Sequence, residues 1–119
     1  KINKGEPISV FNNGNMKRDF TYIDDIINGI VSSIKKNYNY EIFNLGNNSS
    51  ESLMDVVTII ESRIGKKAKV KFEPMQPGDV QETYADIERS KIKLGYLPKT
   101  NIEKGIIHFL DWYLDYAER

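Results

Sequence analysis

The chain has 119 residues, 17 Lys plus Arg against 17 Asp plus Glu, and a formal net charge of zero. That length is one domain or one piece of a larger protein, and the charge balance argues against a nucleic-acid binder built on a broadly basic surface, while leaving room for a small cationic pocket. With no Cys and a single His, disulfides, thiolate chemistry and multi-His metal sites are excluded.

Asp and Glu show no spacing that suits a metal of their own. No apolar run has the length of a membrane span, and no signal peptide precedes Lys1, so a soluble, cytoplasmic domain is expected. The chain starts at Lys rather than Met, which is the mark expected of a fragment.

In chain order, residues 7–11 (PISVF) read as a short strand, and Asn13-Gly14 signals a turn because both residues tolerate positive φ. Residues 16–23 (MKRDFTYI) read as the next strand. Thr21 is the predicted N-cap of a helix whose first turn holds Asp24 and Asp25, acids that suit its positive dipole end. Ile23, Ile26, Ile27, Ile30 and Ile34 recur at helical spacing, and the helix ends near Lys36. Residues 40–46 (YEIFNLG) read as a strand closed by Gly46. The loop NNSS offers Ser49 or Ser50 as N-cap to a helix striped by Leu53, Val56, Val57, Ile60 and Ile64 and stopped at Gly65. Ala68, Val70 and Phe72 alternate with Lys67, Lys69 and Lys71, the period of a half-exposed strand. Residues 75–80 (MQPGDV) form a turn, and residues 82–86 (ETYAD) are short and extended. Asp86 is the predicted cap of a helix that Gly95 stops. The last helix, residues 102–116, is apolar at Ile106, Ile107, Phe109, Leu110, Trp112, Tyr113 and Leu114. That is too wide for one buried face, so it sits between two layers or touches something outside this chain. The expected class is α+β, a small mixed sheet with packed helices.

Little in this order carries chemistry by itself. His108 sits between Ile107 and Phe109 and reads as a structural or surface residue. No Gly-rich phosphate loop opens a helix: GNNSS has one Gly and GxGxxG does not occur. Asp24 and Asp25 are adjacent and would point about 100° apart on a helix, so they read as dipole-compensating and capping groups, not a catalytic pair. Two places suit an anion. One is Lys17-Arg18. The other is the QPGD turn, where Gly78 lets backbone approach a ligand and Asp79 can accept from ribose hydroxyls. On spacing alone, Arg18 reads more readily as half of a surface ion pair.

Six stretches taken together carry a resemblance: GEPISVFNNGNMKRDFTYIDDIINGI, YEIFNLGNN, LMDVV, MQPGDVQETYAD, LGYLPKT and GIIHFLDWYLDY. In this order and spacing the chain resembles, over essentially its whole length, the C-terminal part of NAD-dependent nucleotide-sugar epimerases and dehydratases. These are extended members of the short-chain dehydrogenase/reductase superfamily. MKRDFTYIDDI with QPGDV most resembles the UDP-glucuronate 4-epimerase branch.

The resemblance implies that residues 1–119 are a UDP-sugar-binding C-terminal domain whose Rossmann domain is absent. NAD would be held by that N-terminal domain, and none is expected on this chain. The family's Tyr-x-x-x-Lys does not occur: four residues after Tyr22, Tyr38, Tyr40 and Tyr84 stand Ile26, Ile42, Asn44 and Glu88. The implied reaction of the parent is oxidation at sugar C4 by NAD, rotation of the keto intermediate, and hydride return to the opposite face. This domain's share is to grip UDP while the sugar turns. A dehydratase, a decarboxylase, an epimerase acting elsewhere on the sugar, and a free-standing non-catalytic binding domain are the alternatives.

Residue by residue, the resemblance implies that Arg18 contacts the diphosphate, for which its planar fork is suited. Ser9, Val10 and Phe11 match the strand that holds uracil, with backbone groups of Ser9 and Phe11 reading the base edge and the Phe11 ring covering its face. Phe20 matches an aromatic beside the nucleotide. Asp79 matches an acid near the ribose and the Arg, and Thr83 a position lining the sugar pocket. Gln76 stands where many relatives carry a second Arg. Asp25 matches a structural Asp. The implied partners are the UDP-sugar and the Rossmann domain, with neither nucleic acid nor membrane. Without that domain, the bare interdomain face is expected to drive self-association.

Overall fold

The computed structural model describes residues 1–117. Its elements are β1 (Pro7–Val10), one tight turn (Phe11–Gly14), β2 (Lys17–Arg18), α1 (Ile23–Lys36), β3 (Glu51–Ser52), α2 (Leu53–Ile64), β4 (Lys69–Phe72), α3 (Glu88–Leu94) and α4 (Ile102–Ala117). β1 runs parallel to β4, with Pro7 opposite Lys69 and Val10 opposite Phe72. β2 runs antiparallel to β3, with Lys17 opposite Ser52 and Arg18 opposite Glu51. The α+β class holds, but the strands form two separate two-stranded ladders instead of one small sheet.

The Asn13-Gly14 turn forms as its residues predict. Asn12, Asn13 and Gly14 all adopt positive φ (49°, 51° and 83°), a region open at low cost mainly to Asn and Gly. α2 and α3 end at Gly65 and Gly95 in the left-handed conformation, and α1 ends at Asn37 in the same way.

The helix starts differ from expectation. α1 is preceded by Tyr22, which makes no side-chain cap bond, and Thr21 stays outside the cap position. Asp25 does not cap its own helix either: it accepts from Lys99 N–H at 3.1 Å and Thr100 N–H at 3.0 Å, tying α1 to the approach to α4. The N-cap of α2 is Ser52. Ser49 is engaged by Glu51 at 2.9 Å, and Ser50 Oγ is buried without a hydrogen-bond partner among the described residues. At α3 the cap residue is Ile87, yet Asp86 Oδ1 still accepts from Glu88 N–H at 2.9 Å.

Two expected strands contract. The one over residues 16–23 is limited to Lys17–Arg18; beyond it the Asp19 N–H goes to the Thr83 side chain instead of a strand carbonyl. The one over residues 40–46 forms no ladder at all. Its alternation is real: Phe43 and Leu45 pack on Ile87, Leu94 and Tyr96, while Ile42 and Asn44 are exposed. Side chains satisfy its backbone instead, with Ser90 Oγ donating to Asn44 O at 2.5 Å and Tyr96 OH to Gly46 O at 2.9 Å.

α2 packs on α4 through buried Val56, Val57 and Leu110, with an Arg63–Asp111 ion pair at the rim. α1 approaches the core on the side of Asp25 and Gly29. A Cβ on Gly29 would lie 2.6 Å from Leu45 Cδ2 and 2.9 Å from Tyr96 Cδ2, so only Gly permits that approach. The isoleucine stripe that marks the helix therefore faces outward, at Ile23, Ile27, Ile30 and Ile34.

The result is a plate of 48 × 37 × 19 Å with a radius of gyration of 16.7 Å, against about 13.5 Å for a globular chain of this length. Its accessible surface is 8247 Å², against roughly 6,600 Å² for a monomer of this size.

Candidate functional site

The site is built on β2. Lys17 N–H donates to Gln81 O at 2.9 Å and Thr83 N–H to Lys17 O at 3.2 Å, a one-residue parallel bridge between Lys17 and Glu82. It lays residues 79–85 beside β2. The turn before them is type II: Asp79 N–H donates to Gln76 O at 3.1 Å and Gly78 has φ 82°. That turn delivers Asp79 onto Arg18. Arg18 Nη2 meets Asp79 Oδ1 at 2.8 Å, and Nη1 donates to Lys17 O at 2.7 Å and Gln81 O at 3.2 Å. The two side chains are 25% and 31% exposed, so the pair adds at most about 1 kcal/mol of stability. Its effect is orientation. Lys17 is exposed, consistent with the alternation of side chains along a strand.

Asp19, the next residue, joins three stretches. Its Oδ1 accepts from Asn47 N–H at 2.8 Å, and its Oδ2 from Asn48 N–H at 3.1 Å and Ala85 N–H at 3.0 Å. Its own N–H donates to Thr83 Oγ1 at 3.1 Å. Sequence reasoning passed over Asp19. The available signal was Gly46-Asn47-Asn48, a run of N–H groups after a strand that needs an acceptor. Asp19, Asn44, Thr83 and Tyr84 line a polar cavity of about 450 Å³.

The structure thus brings Arg18, Asp79 and Thr83 together on β2 and its bridge. Gln76 is exposed at the start of the turn. Val10 is 2% exposed, so its side chain belongs to the core and only its backbone is left for a ligand on this strand. Its carbonyl accepts from Glu73 N–H at 2.9 Å. Because peptide groups alternate along a strand, the N–H and C=O of Ser9 then face the other edge of β1, which pairs with no strand among the described residues. Phe11 is half-buried at the head of the turn. Phe20, with Tyr22, Ile23, Ile106, Phe109 and Trp112, lines an apolar groove of about 610 Å³ against α4. His108 stacks edge-on against Tyr22 with ring centroids 5.6 Å apart, a packing role.

Two buried polar groups are structural. Asp25 is 4% exposed and holds residues 99–100. Burial pushes the Tyr96 phenol up to about 12, with the Asp25 and Asp19 charges adding to the effect, so Tyr96 acts as a fixed hydrogen-bond donor to Gly46 O. Among the described residues no cluster of His, Cys, Asp and Glu could hold a metal ion, and no helix is long and apolar enough to cross a membrane.

The order and packing of these elements are those of the C-terminal region of extended short-chain dehydrogenase/reductase epimerases. A sequence profile described as GDP-mannose 4,6 dehydratase matches residues 1–109, and the chain belongs to that family. It is 53% identical over 111 residues to an uncharacterised protein of Methanocaldococcus jannaschii, covering 93% of this chain and 34% of that protein. It is 40% identical over 112 residues to the UDP-glucuronate 4-epimerase of Thermodesulfobacterium geofontis, again covering 93% of this chain and 34% of the relative. The crystal structure of the UDP-glucuronic acid 4-epimerase of Bacillus cereus, in complex with UDP-glucuronic acid and NAD, superposes with a TM-score of 0.86 at 31% identity. It covers 95% of this chain and 37% of that one. The chain therefore spans little more than a third of the length of these relatives.

Proposed function

We propose that this chain is the nucleotide-sugar-binding part of an NAD-dependent UDP-sugar 4-epimerase, with UDP-glucuronate as the substrate. The observation that carries the reading is Arg18. Its fork is held on β2 by two carbonyls and a carboxylate, at the position where the resembling enzymes place a diphosphate contact. A diphosphate offers the fork two charge-assisted bonds in place of one half-exposed carboxylate. Asp79, freed from Arg18, is then beside the ribose. Ser9 backbone groups on the open edge of β1 read the uracil edge, and the Phe11 ring covers its face. Thr83 lies toward the sugar. Gln76 is neutral, so Arg18 carries the diphosphate without a second Arg at that position.

These residues do not fit NAD, since no Gly-rich loop opens any of α1 to α4. The cofactor, and the hydride transfer it supplies, are assigned to the region that makes up the rest of the relatives' length. The same region is assigned to the bare faces of α1 and α4. In its absence the isolated chain associates with itself.

Titration of UDP into the chain tests the reading. Arg18→Ala removes bonds worth roughly 1.5–3 kcal/mol, a ten- to hundredfold loss of affinity. An undiminished affinity, or no UDP binding by the unaltered chain, would overturn it. The dehydratase description of the family profile favours a second reading, a GDP-sugar enzyme. Tighter binding of GDP than of UDP would select it.

A further inference from the structure

Resting on the UDP-sugar reading above, the geometry points to Asp19 as a positioning residue that sets the spacing between the diphosphate end and the sugar end of the site. Residues 79–85 are anchored to β2 at two places. The first half is tied through Arg18 to Asp79 and through Lys17 N–H to Gln81 O. The second half is tied by Thr83 N–H to Lys17 O and by Asp19, whose N–H donates to Thr83 Oγ1 and whose Oδ2 accepts from Ala85 N–H. The first half carries the diphosphate contact. The second carries Thr83 and forms one wall of the polar cavity, with Asn44 and Gly46 on another.

Asp19 joins those two walls, because its carboxylate also accepts from Asn47 and Asn48 N–H. The fit is tight. A Cβ on Gly46 would stand 2.3 Å from Ala85 Cβ and 3.0 Å from Asp19 Oδ2. An amide cannot replace the carboxylate, since all three partners are donors and one would then face an NH₂ group. Asp19 thus governs where Thr83 and the cavity stand relative to Arg18.

The test titrates UDP and UDP-glucuronate into the chain and into Asp19→Asn and Gly46→Ala, with a thermal melt of each. UDP affinity should stay within about twofold of the unaltered chain, because the Arg18 anchor is intact, while the preference for UDP-glucuronate over UDP should fall at least about fivefold. Gly46→Ala crowds the same junction while leaving Asp19 a carboxylate, and it reports on the spacing if Asp19→Asn does not fold. Parallel weakening of both ligands would mark Asp19 as merely structural and overturn the inference. So would an unaltered chain that binds UDP but shows no preference for UDP-glucuronate. An unaltered chain that binds neither ligand would instead overturn the UDP-sugar reading on which the inference rests.

Discussion

Arg18 and Asp79 meet at 2.8 Å although 61 residues separate them in the chain. Neither local pattern alone would set that distance. It follows from the Lys17–Glu82 bridge, which lays one segment along the other, and from the left-handed Gly78, which turns Asp79 back onto β2. The pair contributes little to stability at its exposure. It presents a guanidinium in a fixed plane, with a partner that an anion can replace.

That geometry separates Arg18 from its neighbour. Arg18→Lys should recover only part of the UDP affinity lost in Arg18→Ala, because an ammonium cannot make a bidentate fork. Lys17 makes its contacts through its backbone, and its side chain is exposed. Lys17→Ala should therefore change UDP affinity by less than about threefold and act mainly through screened charge, so its effect should shrink as salt is raised. Titrations at two salt concentrations check both. Equal losses in Lys17→Ala and Arg18→Ala would count against the assignment.

The purified chain should carry no NAD and convert no UDP-glucuronate. The ground is chemical: it has neither a Gly-rich loop nor a Tyr-x-x-x-Lys. Absorbance of the protein-free extract and product analysis by chromatography measure the two. Stoichiometric NAD would contradict the assignment of the cofactor to another region.

Tyr96 gives a pH dependence with a defined sign. Its phenol is raised from an ordinary value of 10.0 to about 12. A raised folded value means that its contribution to stability is complete below pH 10 and is lost as pH climbs through about 12. Tyr96→Phe leaves Gly46 O unpaired and should cost about 1 kcal/mol at neutral pH. The variant should also lose less stability than the unaltered chain between pH 10 and pH 12. Urea unfolding at pH 7, 10 and 12 follows both effects, and identical alkaline losses would refute the account of Tyr96.

Much of this fold is legible in the residues, and the exceptions share a cause. Helix periodicity, the Gly65 and Gly95 stops and the Lys-alternating strand are local, and each appears where its own segment dictates. Arg18 was legible as half of an ion pair or as an anion contact, and its partner Asp79 was legible only through the family resemblance, not from spacing. What was not legible depends on contacts between segments. Residues 40–46 have the composition of a strand, yet a strand needs a neighbour, and none pairs with them among the described residues. The α1 stripe identifies a helix without saying which side meets the core. Gly29 decides that, because only there can the backbone come within reach of Leu45 and Tyr96. Asp19 looks like any acid beside an Arg until three distant N–H groups converge on it.

Asp25 should prove to be a joint between α1 and α4. It is buried and its two acceptor bonds hold Lys99 and Thr100 N–H. Asp25→Ala leaves both donors without their acceptor and should destabilise by about 2–4 kcal/mol. Asp25→Asn keeps one acceptor oxygen and should cost about half as much. Denaturant midpoints measure both, and a change below 0.5 kcal/mol in Asp25→Ala, roughly the scale of a surface substitution, would show that the joint is not needed.

The outward stripe of α1 leads to the last expectation. Ile23 is 63% exposed, Ile27 48%, Ile30 41% and Ile34 71%, and on α4 Phe109, Trp112 and Tyr116 are exposed as well. The surface exceeds that of a typical monomer by about 1,600 Å², the total area buried by an ordinary protein–protein interface. Apolar patches of that kind are covered by partners, and an isolated chain should cover them with copies of itself. Lys at two of the α1 positions keeps helix propensity and places charge in the patch. The double variant Ile30→Lys, Ile34→Lys should therefore melt close to the unaltered chain while its self-association weakens at least about tenfold, a change of about 1.4 kcal/mol. Sedimentation velocity over a range of concentrations reads the association. If the chain is monomeric at high concentration, or if the double variant associates as strongly as the original, the α1 face is not the surface through which it pairs.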